Sequence, residues 1–413
     1  MEDKSISRRE FLAKSAISAA GLAIASSVAF VPSAAFGAND KLSIGIIGVG
    51  IRGTQLFDDL SKVDKAQNVE VTAVCDTWRL RREQAVAKIK ERYGKDPRQF
   101  ANYQDMLALA DVDAVIIATP DFSHARILAD AIKAGKDVFV EKPMAKDLDH
   151  ANAAMDAQAV AKRIIQVGTQ RRSEGAWKAA AKLVQSGVLG TISRVEIGWN
   201  DCGPRWRRNV SAIKPEDVDW KRFLMHLRNR PFDASRYGEW QLYRDYTNGP
   251  MAVLGAHYFD VALWVMNAKF PTTAVANGGQ YVWKDGREQE DTIYAAFDFP
   301  EGFAMRYCTG LGNSSEGGLS IYGTNGVFKE ATWSATGAGG RGPGAIKEEI
   351  KLVRDPNDSH MGNWLECVRS RKTPNAPFEV GYQHSVCTML GYQALMTGRK
   401  MKYLPDQRKI VEA

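Results

Sequence analysis

The strongest constraint on this chain is a junction near residue 48. Residues 41–47 (Lys-Leu-Ser-Ile-Gly-Ile-Ile) form a short apolar, β-branched run, the pattern of a strand buried on both faces. Gly48-Val49-Gly50-Ile51-Arg52-Gly53 follows at once, and residues 54–60 then carry apolar positions at helical spacing. Strand, glycine loop and helix in that order are the context that gives a G-x-G-x-x-G pattern its meaning. Gly48 allows the tight turn, Gly50 lets the backbone approach a pyrophosphate, and Gly53 lets helix and strand pack closely. The N–H groups at the helix start, around Ile51 and Arg52, then hold the phosphates. The chain carries its own control. Gly337-Ala338-Gly339-Gly340-Arg341-Gly342 matches the same pattern, but no β-run precedes it and Pro343-Gly344 blocks a following helix, so it reads as a flexible surface loop.

A second strand signal, residues 69–75, ends at Asp76. A carboxylate there takes a ribose 2′-hydroxyl and repels a 2′-phosphate, which favours NAD over NADP. Arg79, Arg81 and Arg82 lie just beyond; they read as a solvated helix face and keep NADP as the alternative. A third run, 113–120, is followed by a helix over 123–134 that Gly135 closes, and residues 137–140 lead into Glu141-Lys142-Pro143. Strands alternating with helices imply a doubly wound parallel sheet. Ligands bind at the carboxyl ends of such strands, which places Thr119, Pro120, His124, Glu141 and Lys142 at the site.

At 413 residues the chain calls for two domains after a leader. The expected bounds are a leader at 1–37, a nucleotide-binding domain at 40–163, and a substrate-binding and oligomerisation domain at 164–413. Hydrophobic residues at 45% and charged residues at 25% exclude a disordered, collagen-like or multi-span membrane chain. The net charge of +7 is spread in short clusters, at 79–82 and 205–208, so no nucleic-acid stripe is expected. Five widely spaced cysteines exclude a complete disulfide framework. Six histidines without H-x-H or H-E-x-x-H spacing give no reason to expect a metal site.

The leader has its own signature. Ser7-Arg8-Arg9-Glu10-Phe11-Leu12-Ala13-Lys14 is a twin-arginine export motif, and residues 15–39 carry no charge. Small residues at Ala34, Ala35, Gly37 and Ala38 offer a cleavage site. The expected partner is the twin-arginine machinery, which carries proteins already folded, and the expected location is the periplasm.

After residue 164 the period changes to that of half-exposed strands. Residues 191–199, 275–283, 319–322, 327–329 and 350–353 are strand candidates, and 294–299 with 303–308 read as a hairpin around Pro300-Glu301-Gly302. A terminal helix is expected over 380–397. Between them lies a stretch of Trp199, Asp201, Arg205, Trp206, Trp220, Tyr237, Trp240 and Tyr243, whose aromatic faces and polar groups suit a carbohydrate ring.

Glu141-Lys142-Pro143, after the glycine loop and Ala118-Thr119-Pro120-Asp121-Phe122-Ser123-His124, resembles the Gfo/Idh/MocA oxidoreductase family. The family comprises sugar and cyclitol dehydrogenases related to glucose–fructose oxidoreductase and inositol dehydrogenase. The similarity continues at 167–173, 219–223, 255–260 and 360–364. It implies an α/β fold, a Rossmann sheet followed by an α+β domain with a large, mainly antiparallel open sheet, assembled as a homodimer or homotetramer. It also implies that Lys142 hydrogen-bonds the reacting hydroxyl and the nicotinamide ribose, and that His257 is the general base. Arg171, Arg172, Tyr246 and Asp260 are substrate-side candidates. The family pattern carries an aspartate four residues before the histidine; here that position is Val253. The expected activity is an exported oxidoreductase moving hydride between a sugar carbinol and tightly bound NAD. The rivals are a glycoside-cleaving enzyme using transient oxidation and a non-catalytic sugar- or nucleotide-binding protein.

Overall fold

The computed structural model describes residues 40–413, so the leader and its export motif lie outside the described residues. The first unit runs β1 (Leu42–Ile47), α1 (Ile51–Ser61), β2 (Val69–Cys75), α2 (Arg79–Tyr93), β3 (Arg98–Phe100), α3 (Tyr103–Leu107), β4 (Ala114–Ile117), α4 (Asp121–Lys133), β5 (Asp137–Val140), α5 (Leu148–Ala161) and β6 (Ile165–Val167). Its six strands are parallel in the order 3-2-1-4-5-6. Every residue of β4 and β5 is buried, which is why those strands read as unbroken apolar runs. Leu42, Ile44 and Ile46 of β1 pack towards α1 on one face, while Val115 and Ile117 of β4 face Leu128 and Ile132 of α4 on the other. Register aligns Ile47 with Cys75 and Ile117, Ile117 with Val140, and Val140 with Val167. The residues that follow each strand therefore emerge along one edge.

β6 lies past the 163/164 boundary expected from sequence and completes the first sheet. The second unit runs α6 (Gly175–Gln185), β7 (Ile192–Cys202), α7 (Trp220–Leu224), α8 (Ala234–Gly238), α9 (Gly249–Val253), α10 (Gly255–Met266), β8 (Thr273–Gly279), β9 (Thr292–Phe299), β10 (Phe303–Gly310), β11 (Gly312–Gly323), β12 (Gly326–Lys329), β13 (Ser334–Thr336), β14 (Ile350–Lys351), α11 (His360–Ser370), α12 (Phe378–Thr397), β15 (Met401–Leu404) and β16 (Lys409–Glu412). Its helix α11 returns to the first unit, where Trp364, Leu365 and Val368 join the apolar cluster beneath α1.

The ten strands lie in the order 14-13-12-11-7-10-9-8-15-16. All pairs are antiparallel except β7 with β10. Strand β9 alternates strictly, burying Ile293, Ala295, Phe297 and Phe299. These face α10 and α12; the Phe259 ring stands 5.1 Å from Phe297 and 5.2 Å from Tyr307. The opposite face leaves Val275 and Tyr294 exposed. The second glycine run is held rather than free, since Arg341 N–H donates to Thr324 and Ile346 N–H to Asn325. Among the described residues no helix is long and apolar enough to cross a membrane.

Candidate functional site

The glycine loop sits where β1 hands over to α1. Gly48 has φ +86°, and a Cβ on it would lie 2.7 Å from the Ala118 backbone. A Cβ on Gly53 would lie 2.0 Å from the Gly48 carbonyl oxygen, so helix and loop touch backbone to backbone. A Cβ on Gly50 would meet nothing within 4 Å, because this glycine borders the cavity. Helix α1 starts without a side-chain cap and without an acidic residue in its first turn. Its first amides are therefore left for an anion, the fit a pyrophosphate requires. From here a cavity of about 810 Å³ runs between the two units to Lys142 and His257.

Asp76, at the end of β2, accepts from Val49 N–H and Trp78 N–H, each at 2.9 Å, and from the Tyr237 hydroxyl at 3.2 Å. Burial pushes its pKa up, and these three donors pull against that shift. It lines the cavity, so a ribose hydroxyl would meet an acceptor already oriented by the loop. Of the neighbouring arginines, Arg79 pairs with Glu83 and Asp217, and Arg82 donates to the Asp76 carbonyl at 2.7 Å. Arg81 lies over the Trp78 ring, 5.2 Å from its centroid, and borders the cavity.

The next strand ends supply the far wall. Thr119 and Pro120 line the cavity after β4. His124 is buried with its ring between two carbonyls, Thr119 at 2.6 Å and Pro143 at 2.8 Å, tying the β4 and β5 loops together. Glu141 accepts from Arg52 at 2.6 Å. Lys142 Nζ donates to the Val253 carbonyl at 2.7 Å. Burial holds the pKa of Lys142 below its usual value, against the nearby negative charges of Glu141 and Asp121. His257 stands on α10 with its ring 5.8 Å from Trp199. Burial, then the positive charges of Lys142 and Arg171, hold His257 well below 6.5, so its imidazole is neutral.

Four substrate-side candidates fall elsewhere. Arg172 and Asp260 form a buried ion pair, with Arg172 Nε 2.9 Å from both carboxylate oxygens. Burial would raise Asp260, but Arg172 keeps its pKa low. One helical turn after His257, this pair fixes α10 against the 168–173 turn instead of facing the cavity. Tyr246 is fully buried among Phe122 and Phe223, where its backbone carbonyl accepts from Phe122 N–H. Arg171 does not line the cavity. It lies 4.3 Å over the Tyr258 ring and 5.8 Å from Trp199.

The sequence reading left out Asp121, Gln170 and Arg208, all of which line the cavity. Asp121 directly follows the strand-end positions Thr119 and Pro120, and Gln170 directly precedes the candidate Arg171; those adjacencies are the available signals. Trp206, Tyr237 and Trp240 from the aromatic stretch also line it. Trp220 instead stacks on Phe223, and Tyr243 bonds Ser235.

A parallel sheet that carries a glycine cradle and Lys142 along its carboxyl edge, with His257 facing the cleft from a helix of a second unit, defines a two-domain nucleotide-binding protein of the oxidoreductase class. Two family models match it, an oxidoreductase NAD-binding Rossmann fold over residues 42–169 and the corresponding C-terminal alpha/beta domain over 221–403. The chain belongs to the Gfo/Idh/MocA oxidoreductase family. Inositol 2-dehydrogenase of Rhodococcus erythropolis is 36% identical over 194 residues, 45% of this chain and 54% of that one. Glycosyl hydrolase family 109 protein 2 of Shewanella sp. is 40% identical over 115 residues, 27% of this chain and 24% of that one. The chain thus spans about half, or less, of the length of the curated relatives it matches. The crystal structure of the WlbA dehydrogenase from Bordetella pertussis, in complex with NADH and UDP-GlcNAcA, shares the fold. Its TM-score is 0.66 at 19% identity, covering 88% of this chain and 99% of that one.

Proposed function

We propose that this protein is an exported oxidoreductase that oxidises a carbinol of a sugar or sugar-derived polyol with NAD it retains. The observation that carries the reading is the convergence of Lys142 and His257 on the wall of the cavity that begins at the glycine cradle. Bound NAD supplies the hydride acceptor. The neutral His257 imidazole takes the hydroxyl proton as the carbon–hydrogen bond breaks. The Lys142 ammonium, anchored on the Val253 carbonyl, stabilises the developing alkoxide. Trp206 and Trp240 give the sugar ring apolar faces to lie against.

Retention is supported by the segment between β7 and α9. Asp219 N–H donates to the Thr77 carbonyl at 2.8 Å, Tyr237 reaches Asp76, and Trp78 bridges to Val218. Release of a dinucleotide would require this strap to part from the first sheet. The twin-arginine motif supports export of a loaded protein into the periplasm, where free NAD is scarce. The exposed Val275–Tyr294 face of the large sheet is the surface we assign to a homodimer or homotetramer contact.

The test is native expression with the leader, purification from the periplasm, and mass spectrometry of released nucleotide, followed by a sugar screen for reduction of the bound cofactor. NAD at about one per chain, reduced by a sugar, is expected. Protein free of nucleotide, or unresponsive to every sugar, overturns the reading. A second reading, glycoside cleavage by transient oxidation, is favoured by Val253 in place of the aspartate of the family pattern and by the Shewanella relative. Release of phenol from aryl glycosides without added NAD would select it. Binding of sugar without hydride exchange would select a non-catalytic role, against which the paired Lys142 and His257 weigh.

A further inference from the structure

Outside the cleft, Asp147, His150 and His226 converge from two distant stretches of the chain. Asp147 caps the N-terminus of α5, and its oxygens lie 2.8 and 2.9 Å from His150 Nδ1. His226 follows α7, and its ring centroid stands 4.2 Å from that of His150. One donor atom from each of the three lies within 4.8 Å of the other two. Tetrahedral ligands of a zinc ion stand about 3.4 Å apart, so closure onto an ion needs shifts of about an ångström.

Two further observations single out His226. Its Nδ1 is buried and has no protein partner. The residue before it, Met225, holds φ +52° and ψ −107°, a backbone conformation an L-residue keeps only when its surroundings impose it. We propose that Asp147, His150 and His226 form a site for a borderline divalent cation, Zn²⁺ in the first instance. Two imidazoles and one carboxylate are a nitrogen-rich donor set that suits zinc and does not suit Mg²⁺ or Ca²⁺. Lys146 and Arg126 add positive charge beside the cluster and oppose any dication, so the affinity must come from the two imidazole nitrogens and the carboxylate. The bound ion staples the loop carrying Met225, a cavity-lining residue, to the start of α5 in the nucleotide-binding unit. His150 and His226 are 76 residues apart in the chain, so no short histidine spacing marks the cluster.

The test uses the full-length protein stripped with a chelator and titrated with Zn²⁺ alone by calorimetry, with Mg²⁺ as control. One Zn²⁺ per chain is expected, with no response to Mg²⁺ and a Tm raised by about 3 °C or more at saturation. His226→Ala and His150→Gln should each weaken binding at least about tenfold. Co²⁺ should give the visible spectrum of a four-coordinate nitrogen–oxygen site, lost in both variants. His150→Gln, at a partly exposed helix start, serves if His226→Ala fails to fold. No stoichiometric zinc in the parent, or unchanged stoichiometry and affinity in a folded variant, overturns the proposal. Neither readout depends on nucleotide or catalysis, so the result stands apart from the proposed activity.

Discussion

The two ends of the cleft are built in different ways. At the glycine end the working groups are backbone amides and one carboxylate, all drawn from residues between Leu42 and Asp76. Contacts there are steric, and a single methyl on Gly53 would meet the Gly48 carbonyl at 2.0 Å. At the lysine–histidine end the groups are the Lys142 and His257 side chains, from the turn after β5 and from α10, with the Val253 carbonyl of α9 holding the lysine. A backbone site leaves almost no freedom in residue type. A side-chain site tolerates other residue types, and Val253 stands where the family resemblance implies an aspartate.

The contrast is sharpest in the size of the expected losses. Gly53→Ala should lower NADH affinity by about a hundredfold or more, and should lower Tm as well, because the clash is with backbone that cannot swing away. A fluorescence titration with NADH and a thermal melt check it. A variant that binds normally would show that the cradle is not fixed by that contact. Lys142→Met keeps the buried stem and removes the charge. Hydride transfer should fall by about 10²–10³-fold while NADH affinity stays within a few-fold. Single-turnover measurement separates the two effects. Loss of nucleotide binding in place of chemistry would merge the two ends into one unit.

This division also governs what could be read in advance. The parallel sheet, the glycine cradle and Asp76 follow from local sequence, because steric need, burial on both faces and strand-end position are each written within a few residues. Lys142 is placed at the site by its strand-end position, but its role and the choice of His257 come from resemblance, because nothing local to either residue joins the two. Arg172 and Asp260 show the limit. Two charged residues beside a motif look like substrate ligands, yet they satisfy each other in the interior. Tyr246 was misplaced for a related reason, since an aromatic with a hydroxyl reads the same in a site and in a core. The terminal β15–β16 hairpin has no apolar run like those of β4 and β5, and the partner of β15, β8, lies over a hundred residues upstream. Sheet membership at that distance leaves no periodic trace.

Val253→Asp tests whether the side-chain end was rebuilt around a missing carboxylate. In the parent, burial and the charges of Lys142 and Arg171 hold His257 well below 6.5. The neutral, proton-accepting form therefore persists as pH falls, and kcat/KM should stay flat from about pH 8 to well under 6.5. A carboxylate at position 253 favours the imidazolium and raises the pKa of His257. The acid limb should move up towards neutrality, so that activity at about pH 5.5 drops roughly tenfold relative to pH 8. An unchanged profile would mean that the aspartate position does not communicate with His257 in this chain.

The smallest effect belongs to the strap over the glycine end. Tyr237 donates to Asp76 at 3.2 Å and lies 3.2 Å from the Thr77 hydroxyl, so its bonds are long, and Asp76 keeps two backbone donors without it. A net hydrogen bond of this kind is worth about 0.5–1.5 kcal/mol. Tyr237→Phe should therefore speed NADH dissociation only about two- to tenfold, measured by stopped-flow displacement. The preference for NAD over NADP should stay put, because Asp76 itself remains. If dissociation accelerates far more than tenfold, the strap rather than the backbone cradle holds the cofactor, and the glycine end shares the side-chain logic of the other. If it does not change at all, retention lies in the apolar packing of Trp78, Ile213 and Val218, and the tyrosine only fixes the angle at which Asp76 meets the ribose.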